Sequence, residues 1–294
     1  MANISPGLKL RQAARAGTLA IPGAFNAAVG RLIEEAGFPA AYLAGAAFSA
    51  GVLALPDIGL FTLSELVEQV TLLTRRIAIP LIVDADTGFG EAVNVERTII
   101  EHEAAGAAAI QHEDQPLPKR CGHLSGKNLV ETADMCAKIR AAGAARRDTK
   151  QVILARTDAR GVTTFADAVE RARRYLDAGA DWIFPEALAN RGEFERFRRE
   201  VDAPLVANMT EFGKSELLPL SFFRELGYGG VLFPVTLFRV AMKAVEQALA
   251  RIAGDGTQQS LLGEMQTRQQ LYDLLRYSDY EARDRAFFEG ERTQ

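Results

Sequence analysis

The chain has 294 residues, 48% of them apolar, which is enough for one large core and falls within the size range of single-domain α/β barrels. A formal net charge of −4 offers no basic face to neutralise phosphates, so a nucleic-acid or membrane-surface binder is excluded and an anionic ligand must be met by local cations. Cysteine occurs only at 121 and 136, with no apolar leader at the amino terminus and no run long enough to span a bilayer, so the expectation is a soluble protein of the reducing cytoplasm.

Short apolar runs that end in polar residues alternate with amphipathic stretches of helical length. Strands are predicted over 19–25, 40–45, 81–86, 108–114, 152–158, 182–186, 205–211 and 230–235. Helices are predicted over 27–36, 63–77, 92–105, 131–144, 165–178, 192–201, 216–226 and 237–252, with a long connection through Pro56 and Asp57 before the second of them. The strand runs are apolar on both faces, as in a parallel sheet covered on both sides. Several helices end in Ala-Gly or Leu-Gly, at Gly37, Gly106, Gly179 and Gly227, which is carboxyl-terminal cap chemistry. Eight such strand–helix units predict a (β/α)₈ barrel. A doubly wound open sheet is the competing architecture, but no glycine-rich phosphate fingerprint follows the first strand. No linker divides the chain, so 1–294 reads as one barrel domain, extended from about 257 by helices over 257–275 and 280–288. Their Leu, Tyr and Phe side chains call for cover, most simply from a second subunit.

In such a barrel the chemistry gathers at the carboxyl ends of the strands. Those ends carry Tyr42, Asp84, Asp86, Gln111, Glu113, Arg156, Asp158, Glu186, Asn208 and Thr210. Side-chain alternation puts Asp84 with Asp86, and Gln111 with Glu113, on one face of their strands. Asp84, Asp86 and Glu113 are expected to converge, and hard oxygen donors without His or Cys suit Mg²⁺ or Mn²⁺ better than zinc. Asp114, Asp158 and His112 are expected to face the helix layer, and Cys136 the core. Gly88 and Gly90 allow a tight turn under a ligand. The loop 118–127 gathers Lys119, Arg120, Cys121, His123 and Lys127 between glycines, which suggests an anionic substrate, a mobile cover and a proton-transferring thiol. The surrounding cations are expected to favour the Cys121 thiolate until a substrate brings negative charge beside it.

Six stretches resemble one family. They are Val83-Asp84-Ala85-Asp86-Thr87-Gly88-Phe89-Gly90, Glu113-Asp114-Gln115, Lys119-Arg120-Cys121-Gly122-His123, Ala155-Arg156-Thr157-Asp158, Phe184-Pro185-Glu186 and Asn208-Met209-Thr210-Glu211-Phe212-Gly213. They are similar to the isocitrate lyase and phosphoenolpyruvate mutase superfamily, and the cysteine loop is similar to its lyase branch, above all the bacterial 2-methylisocitrate lyases. The resemblance implies a barrel whose eighth helix is exchanged between subunits of a homotetramer. It also implies Mg²⁺-dependent cleavage of 2-methylisocitrate to pyruvate and succinate, with Cys121 as general acid. Asp57, Asp84, Asp86 and Glu113 would surround the metal and its waters. Arg156, Glu186, Asn208, Thr210 and Arg268 would hold the substrate, joined by Arg120, Gly122 and His123 from the loop.

Two departures bear on the substrate. Ala44-Gly45-Ala46 stands where the lyases have Ser-Gly-Gly, which removes a carboxylate-binding hydroxyl, and Gln111 stands where they have histidine. Leu124-Ser125-Gly126 is similar to 2,3-dimethylmalate lyases, so that activity, or oxaloacetate hydrolysis or decarboxylation, is the alternative. A non-catalytic anion-binding barrel is the reading from another class, and it would leave the acids and the thiol idle. The residues leave the base open among Tyr42, Glu113 and a metal-bound water. Backbone amides around Gly45 are expected to add donors.

Overall fold

The computed structural model describes residues 4–124 and 126–291. Among them are eight strands: β1 (Leu19–Pro22), β2 (Ala41–Leu43), β3 (Leu81–Asp84), β4 (Ala109–Glu113), β5 (Val152–Thr157), β6 (Trp182–Pro185), β7 (Val206–Asn208) and β8 (Gly230–Phe233). All pair in parallel, in the orders β1-β8-β7 and β2-β3-β4-β5-β6. Single parallel bridges, Gly23 to Tyr42 and Ile183 to Leu205, join the two sets. The ring of strands is therefore closed, which is the expected barrel.

Alternation along each strand sorts the side chains into two cores. Ile21, Tyr42, Ile82, Leu154, Phe184 and Leu232 pack together as the filling of the barrel. Their neighbours Leu43, Val83, Ile110, Ile153, Ile183 and Val231 pack on the other face with the helix residues. The same parity sends Asp84, Gln111, Glu113, Arg156, Glu186 and Asn208 inward at the strand ends.

The helices are α1 (Pro6–Ala16), α2 (Ala27–Glu35), α3 (Gly45–Val52), α4 (Leu63–Thr74), α5 (Ala92–Ala104), α6 (Thr132–Ala145) and α7 (Ala159–Val162). They continue with α8 (Phe165–Asp177), α9 (Arg191–Glu200), α10 (Leu220–Leu226), α11 (Thr236–Asp255), α12 (Arg268–Leu275) and α13 (Tyr277–Glu291). Local chemistry fixes their ends. Asn26 caps α2 by accepting from the Val29 N–H at 2.9 Å, and Thr62 with Glu65 forms a reciprocal capping box on α4. Gly37, Gly106, Gly179 and Gly227 take φ of 81°, 89°, 109° and 71°, the left-handed region in which glycine ends a helix without a Cβ clash.

Three helices lie outside the sequence expectation. α3 is Gly-Ala-Ala-Phe-Ser-Ala-Gly-Val, too poor in polar residues to show an amphipathic period. α1 and the single-turn α7 were missed as well. The predicted helix over 257–275 is corrected to a 3₁₀ turn at Gln259–Leu261 and a separate α12. Thr267 caps α12 by accepting from the Gln270 N–H at 3.2 Å, so its backbone is extended and no helix runs through it. The predicted 216–226 helix begins only at Leu220, after Pro219.

The chain divides into two compact units, Met1–Phe238 and Arg239–Gln294, with the division inside α11. The first contains the whole barrel. In the second, Tyr272 and Tyr277 stack with centroids 4.7 Å apart, and Arg251 pairs with Glu264.

Candidate active site

The site is built on the carboxyl ends of β2 to β7. Asp84, at the end of β3, accepts from the Gln111 amide at 2.9 Å, the Gly45 N–H at 3.1 Å and the Asp86 N–H at 3.2 Å. The Gly45 amide is thus taken up by Asp84, which corrects the expectation of a free backbone donor there. Gln111 also accepts from the Tyr42 hydroxyl at 2.5 Å, so one amide side chain links β2, β3 and β4. Asp86 sits just past β3 with φ of 47°, in the turn that Gly88 and Gly90 complete at 86° and 144°. A Cβ on Gly45 would lie 3.1 Å from Asp86 Oδ1 and 3.2 Å from Asp84 Oδ2, so both carboxylates border the same small space.

Lys119 from the loop reaches in between Asp57 and Asp86, with Nζ 2.9 Å from Asp86 Oδ1. Glu113 turns the other way, accepting from the Gln115 amide at 3.1 Å and facing Arg156 Nη1 at 3.2 Å. The expected convergence is therefore partial. Among the described residues no three His, Cys, Asp or Glu side chains form a ready-made metal cluster.

The donor chemistry nevertheless fits a divalent ion. Five carboxyl groups (Asp57, Asp86, Glu113, Asp158 and Glu186) share three cations, Lys119, Lys127 and Arg156, and a sixth, Asp84, is met among the described residues only by neutral N–H donors. Burial, opposed by Lys119, pushes Asp86 up to about 7. Burial also pushes Glu113 well above the carboxylate range despite Arg156 and Lys119. Asp86 Oδ1 and Glu113 Oε2 receive no well-directed hydrogen bond. Mg²⁺ commonly takes one or two protein carboxylates and completes its shell with water and substrate, so Asp84 and Asp86 suffice as its anchor.

Arg156 is the hub of the opposite wall. Its Nε and Nη2 donate to Asp158 at 3.0 and 3.1 Å, Nη1 faces Glu113 and Glu186, and the guanidinium lies over the Phe184 ring at 5.3 Å. Asp158 therefore faces this cluster, a correction to its expected place in the helix layer. It follows from strand parity, since 158 is two residues after 156, and it is reinforced by Lys127 at 2.5 Å. Asp114 does face outward, accepting from Thr157, Tyr175 and the Asp158 N–H. His112 is buried outside the site with no hydrogen bond on either ring nitrogen, and Cys136 is buried in the outer core.

The described residues of the loop 118–127 lie against this wall. A Cβ on Gly122 would come within 2.3 Å of Arg156 Nη2 and 2.6 Å of Glu186 Cγ, so only glycine allows the approach. The Gly122 carbonyl accepts from Lys127. His123 Nε2 lies 2.7 Å from Glu186 Oε1, and its Nδ1 accepts from the Lys214 N–H at 2.9 Å. Arg156, with the His123 hydrogen bond and Lys127, holds Glu186 well below the carboxylate range although it is buried, and the Ala187 N–H donates to it at 3.0 Å. Cys121 lies beside them. Burial pushes its thiol up, against the expected depression by the loop cations. Those cations are engaged elsewhere, Lys119 by Asp57 and Asp86 and Lys127 by Asp158. A thiol raised in this way favours its protonated form.

Tyr42, Ala44, Ala46, Asp57, Asp84, Cys121, Gly122, His123, Arg156, Glu186, Asn208 and Thr210 all line one cavity of about 60 Å³. Asn208 donates to Glu186 at 3.3 Å. Arg120 does not line the cavity: its side chain is exposed, while its backbone pairs with Gln115 in both directions. Arg268 opens α12 in the second unit. Sequence reasoning missed Lys119 and Lys127 as partners of named acids, and Gln115 as the strut between β4 and the loop. The parity of 113 and 115 was the one signal for Gln115.

Comparison with known proteins agrees with this fold. Residues 9–253 match the phosphoenolpyruvate phosphomutase family. A 2-methylisocitrate lyase from Aeropyrum pernix is 56% identical over 280 residues, 95% of this chain and 90% of the relative. The crystal structure of a 2,3-dimethylmalate lyase superposes with a TM-score of 0.91 at 31% identity, covering 96% of this chain and 95% of the other. A phosphonopyruvate hydrolase complexed with oxalate and Mg²⁺ superposes with a TM-score of 0.85 at 31% identity, covering 95% and 98%. By fold, by site and by these similarities, the chain belongs to the phosphoenolpyruvate phosphomutase family of the isocitrate lyase and phosphoenolpyruvate mutase superfamily.

Proposed function

We propose that the chain is a carbon–carbon lyase that cleaves 2-methylisocitrate to pyruvate and succinate, with Mg²⁺ held at the acid-rich end of the cavity. The observation that carries this reading is the half-buried Cys121 thiol, lining the cavity in a loop whose next residue, Gly122, lies against Arg156 and Glu186. The 56% identity to a 2-methylisocitrate lyase, against 31% to a dimethylmalate lyase, supports the larger substrate. The hard-oxygen donor set and the Mg²⁺ complex of the hydrolase support the ion, and Mn²⁺ fits the same donors.

Cleavage needs a base for a hydroxyl proton, a stabiliser for the developing negative charge and an acid for the departing carbon. When bound, the metal ion acts as a Lewis acid on substrate oxygens. Asp84 and Asp86 hold it, with Asp57 and Glu113 around them. Arg156 presents Nη1 to a substrate carboxylate, while its other edge stays fixed on Asp158. His123, Glu186, Asn208 and Thr210 orient the rest of the substrate, and Ala44 and Ala46 leave room where a hydroxyl would otherwise stand. Tyr42 is a poor base, because burial and the charge of Asp84 push its phenol well above 10 and its proton is given to Gln111. Glu113, paired with Arg156 at the inward end of β4, is the carboxylate proposed to accept the hydroxyl proton. Cys121 delivers its proton to the carbon of the departing succinate, under a loop that excludes water.

Arg268 is proposed as the extra contact for the third carboxylate of the substrate or for the loop beside it. Arg268→Ala is then expected to damage turnover of 2-methylisocitrate more than that of 2,3-dimethylmalate. Val240, Met242, Val245, Leu249 and Ile252 of α11 are exposed, which supports cover by other copies of the chain in a homotetramer that exchanges its eighth helix. No described helix is long and apolar enough to cross a membrane, and both cysteines are free, which supports a cytoplasmic enzyme. The test of the substrate is product analysis on 2-methylisocitrate, isocitrate, 2,3-dimethylmalate and oxaloacetate. Preferred turnover of any of the last three would overturn the assignment.

A further inference from the structure

At the opposite, amino-terminal end of the barrel lies a second cavity, of about 410 Å³, between α1, the end of α9 and the starts of β6 and β8. Arg11, Arg15 and Arg198 line it, with Trp182, Tyr228, Ala14, Ala203 and Pro204 as its less polar wall. Two of the arginines are held in place by backbone carbonyls. Arg11 Nε donates to the Lys150 carbonyl at 2.7 Å, and Arg198 Nη1 donates to those of Val201 at 2.8 Å and Ala203 at 3.1 Å. Arg15 has no hydrogen bond or ion pair among the described residues and is exposed.

The charges here do not cancel. Asp181 is shared between Arg11 at 2.8 Å and Arg146 at 2.5 Å, and Asp202 is fully exposed, 3.5 Å from Arg198. Four arginines against two aspartates leave two positive charges uncompensated, in a chain whose net charge is −4. Trp182, 2% exposed, presents the edge of its ring to the cavity. An excess of guanidinium groups around a preformed cavity is the feature expected of an anion site. The volume lies within the range of small-molecule sites.

We propose that this cavity binds a compact organic phosphate, its dianionic head on Arg15 and Arg198 and its apolar body against Trp182, Pro204 and Tyr228. Guanidinium groups match the tetrahedral oxygens of phosphate, and the ring and proline wall favours an ester over the free ion. The site is separate from the lyase cavity and shares no lining residue with it.

Trp182 is the one tryptophan of the chain, so its fluorescence reports this cavity. The Mg²⁺-loaded enzyme is titrated with inorganic phosphate and with phenyl phosphate. Saturable change with both is expected, at lower concentration for the ester. Arg15→Ala should raise both dissociation constants about tenfold, the loss of one charged contact, while turnover without phosphate is unchanged. Equal affinity for the two probes would remove the apolar wall from the proposal. A titration that does not saturate, or one identical in Arg15→Ala, would overturn the site and leave Arg15 as a charge at the end of α1.

Discussion

The Lys214 N–H donates to Nδ1 of His123 across 2.9 Å, and this single bond decides which ring nitrogen carries the proton. Nδ1 is an acceptor, so the proton is on Nε2, which faces Glu186 Oε1 at 2.7 Å. His123 thereby latches the cysteine loop to β6 through Glu186 and to the segment after β7 through Lys214. His123→Ala should loosen the latch, lowering kcat/KM by about a hundredfold through misplacement of Cys121. Limited proteolysis within 118–127 should quicken in the same variant. Gly213→Ala should reproduce both effects, since its Cβ would come within 2.6 Å of Nδ1. Unchanged proteolysis in both variants would mean that the loop is held elsewhere.

Metal removal should abolish activity. Mg²⁺ or Mn²⁺ should restore it, while zinc, which prefers nitrogen and sulfur, should restore little. Because the ion binds only the folded state, saturating Mg²⁺ should also raise the melting temperature. Asp86→Ala should lose both the activity and the Mg²⁺-dependent rise. A variant that keeps the rise while losing activity would place the ion away from Asp86.

Strand parity carried most of the site in advance. Asp84, Glu113, Arg156, Glu186 and Asn208 were legible because each is the last inward position of an apolar run, and a barrel brings such positions together. Asp158 was misplaced because adjacency to a polar strand end was weighed above parity with Arg156. Lys119 and Lys127 were not legible as partners of Asp86 and Asp158: they sit 33 and 31 residues from those acids, in a loop with no period. The direction of the Cys121 shift was misjudged for the same reason. Sequence counts the cations near a thiol, but which of them already hold a carboxylate is a fact of tertiary structure. The helix α3 escaped because alanine and glycine carry no contrast between faces.

His112 supplies a test of burial energetics away from catalysis. Desolvation, helped by Lys138, lowers its imidazole to about 4, and both ring nitrogens lack partners. The unfolded chain, with a histidine near 6.5, therefore binds a proton that the folded chain refuses. Above pH 6.5 the ring is neutral in both states and adds no pH dependence, and stability is lost as pH falls from there toward 4. By pH 5 the loss from this group is about 2 kcal/mol. His112→Leu removes it, so the melting temperature of the variant relative to the parent should rise as pH falls from 8 to 5. A difference independent of pH would mean that His112 takes up its proton in the fold as readily as in the unfolded chain.

Cys121 bears the central claim, that a protonated thiol supplies the proton to the departing carbon. Since burial raises its pKa, alkylation by iodoacetamide should be slow at pH 7 and quicken only above the ordinary thiol range. Cys136→Ser, in the outer core, should keep kcat near the parent value. The most direct measurement is kcat for Cys121→Ser on 2-methylisocitrate, with pyruvate and succinate quantified together and Mg²⁺ affinity checked alongside. The account predicts a fall in kcat of about 10²–10⁴, the range for loss of a proton-transfer group, with Mg²⁺ binding nearly intact. A variant that keeps more than about a tenth of the parent kcat, well short of that range, would contradict it and place the proton donor elsewhere.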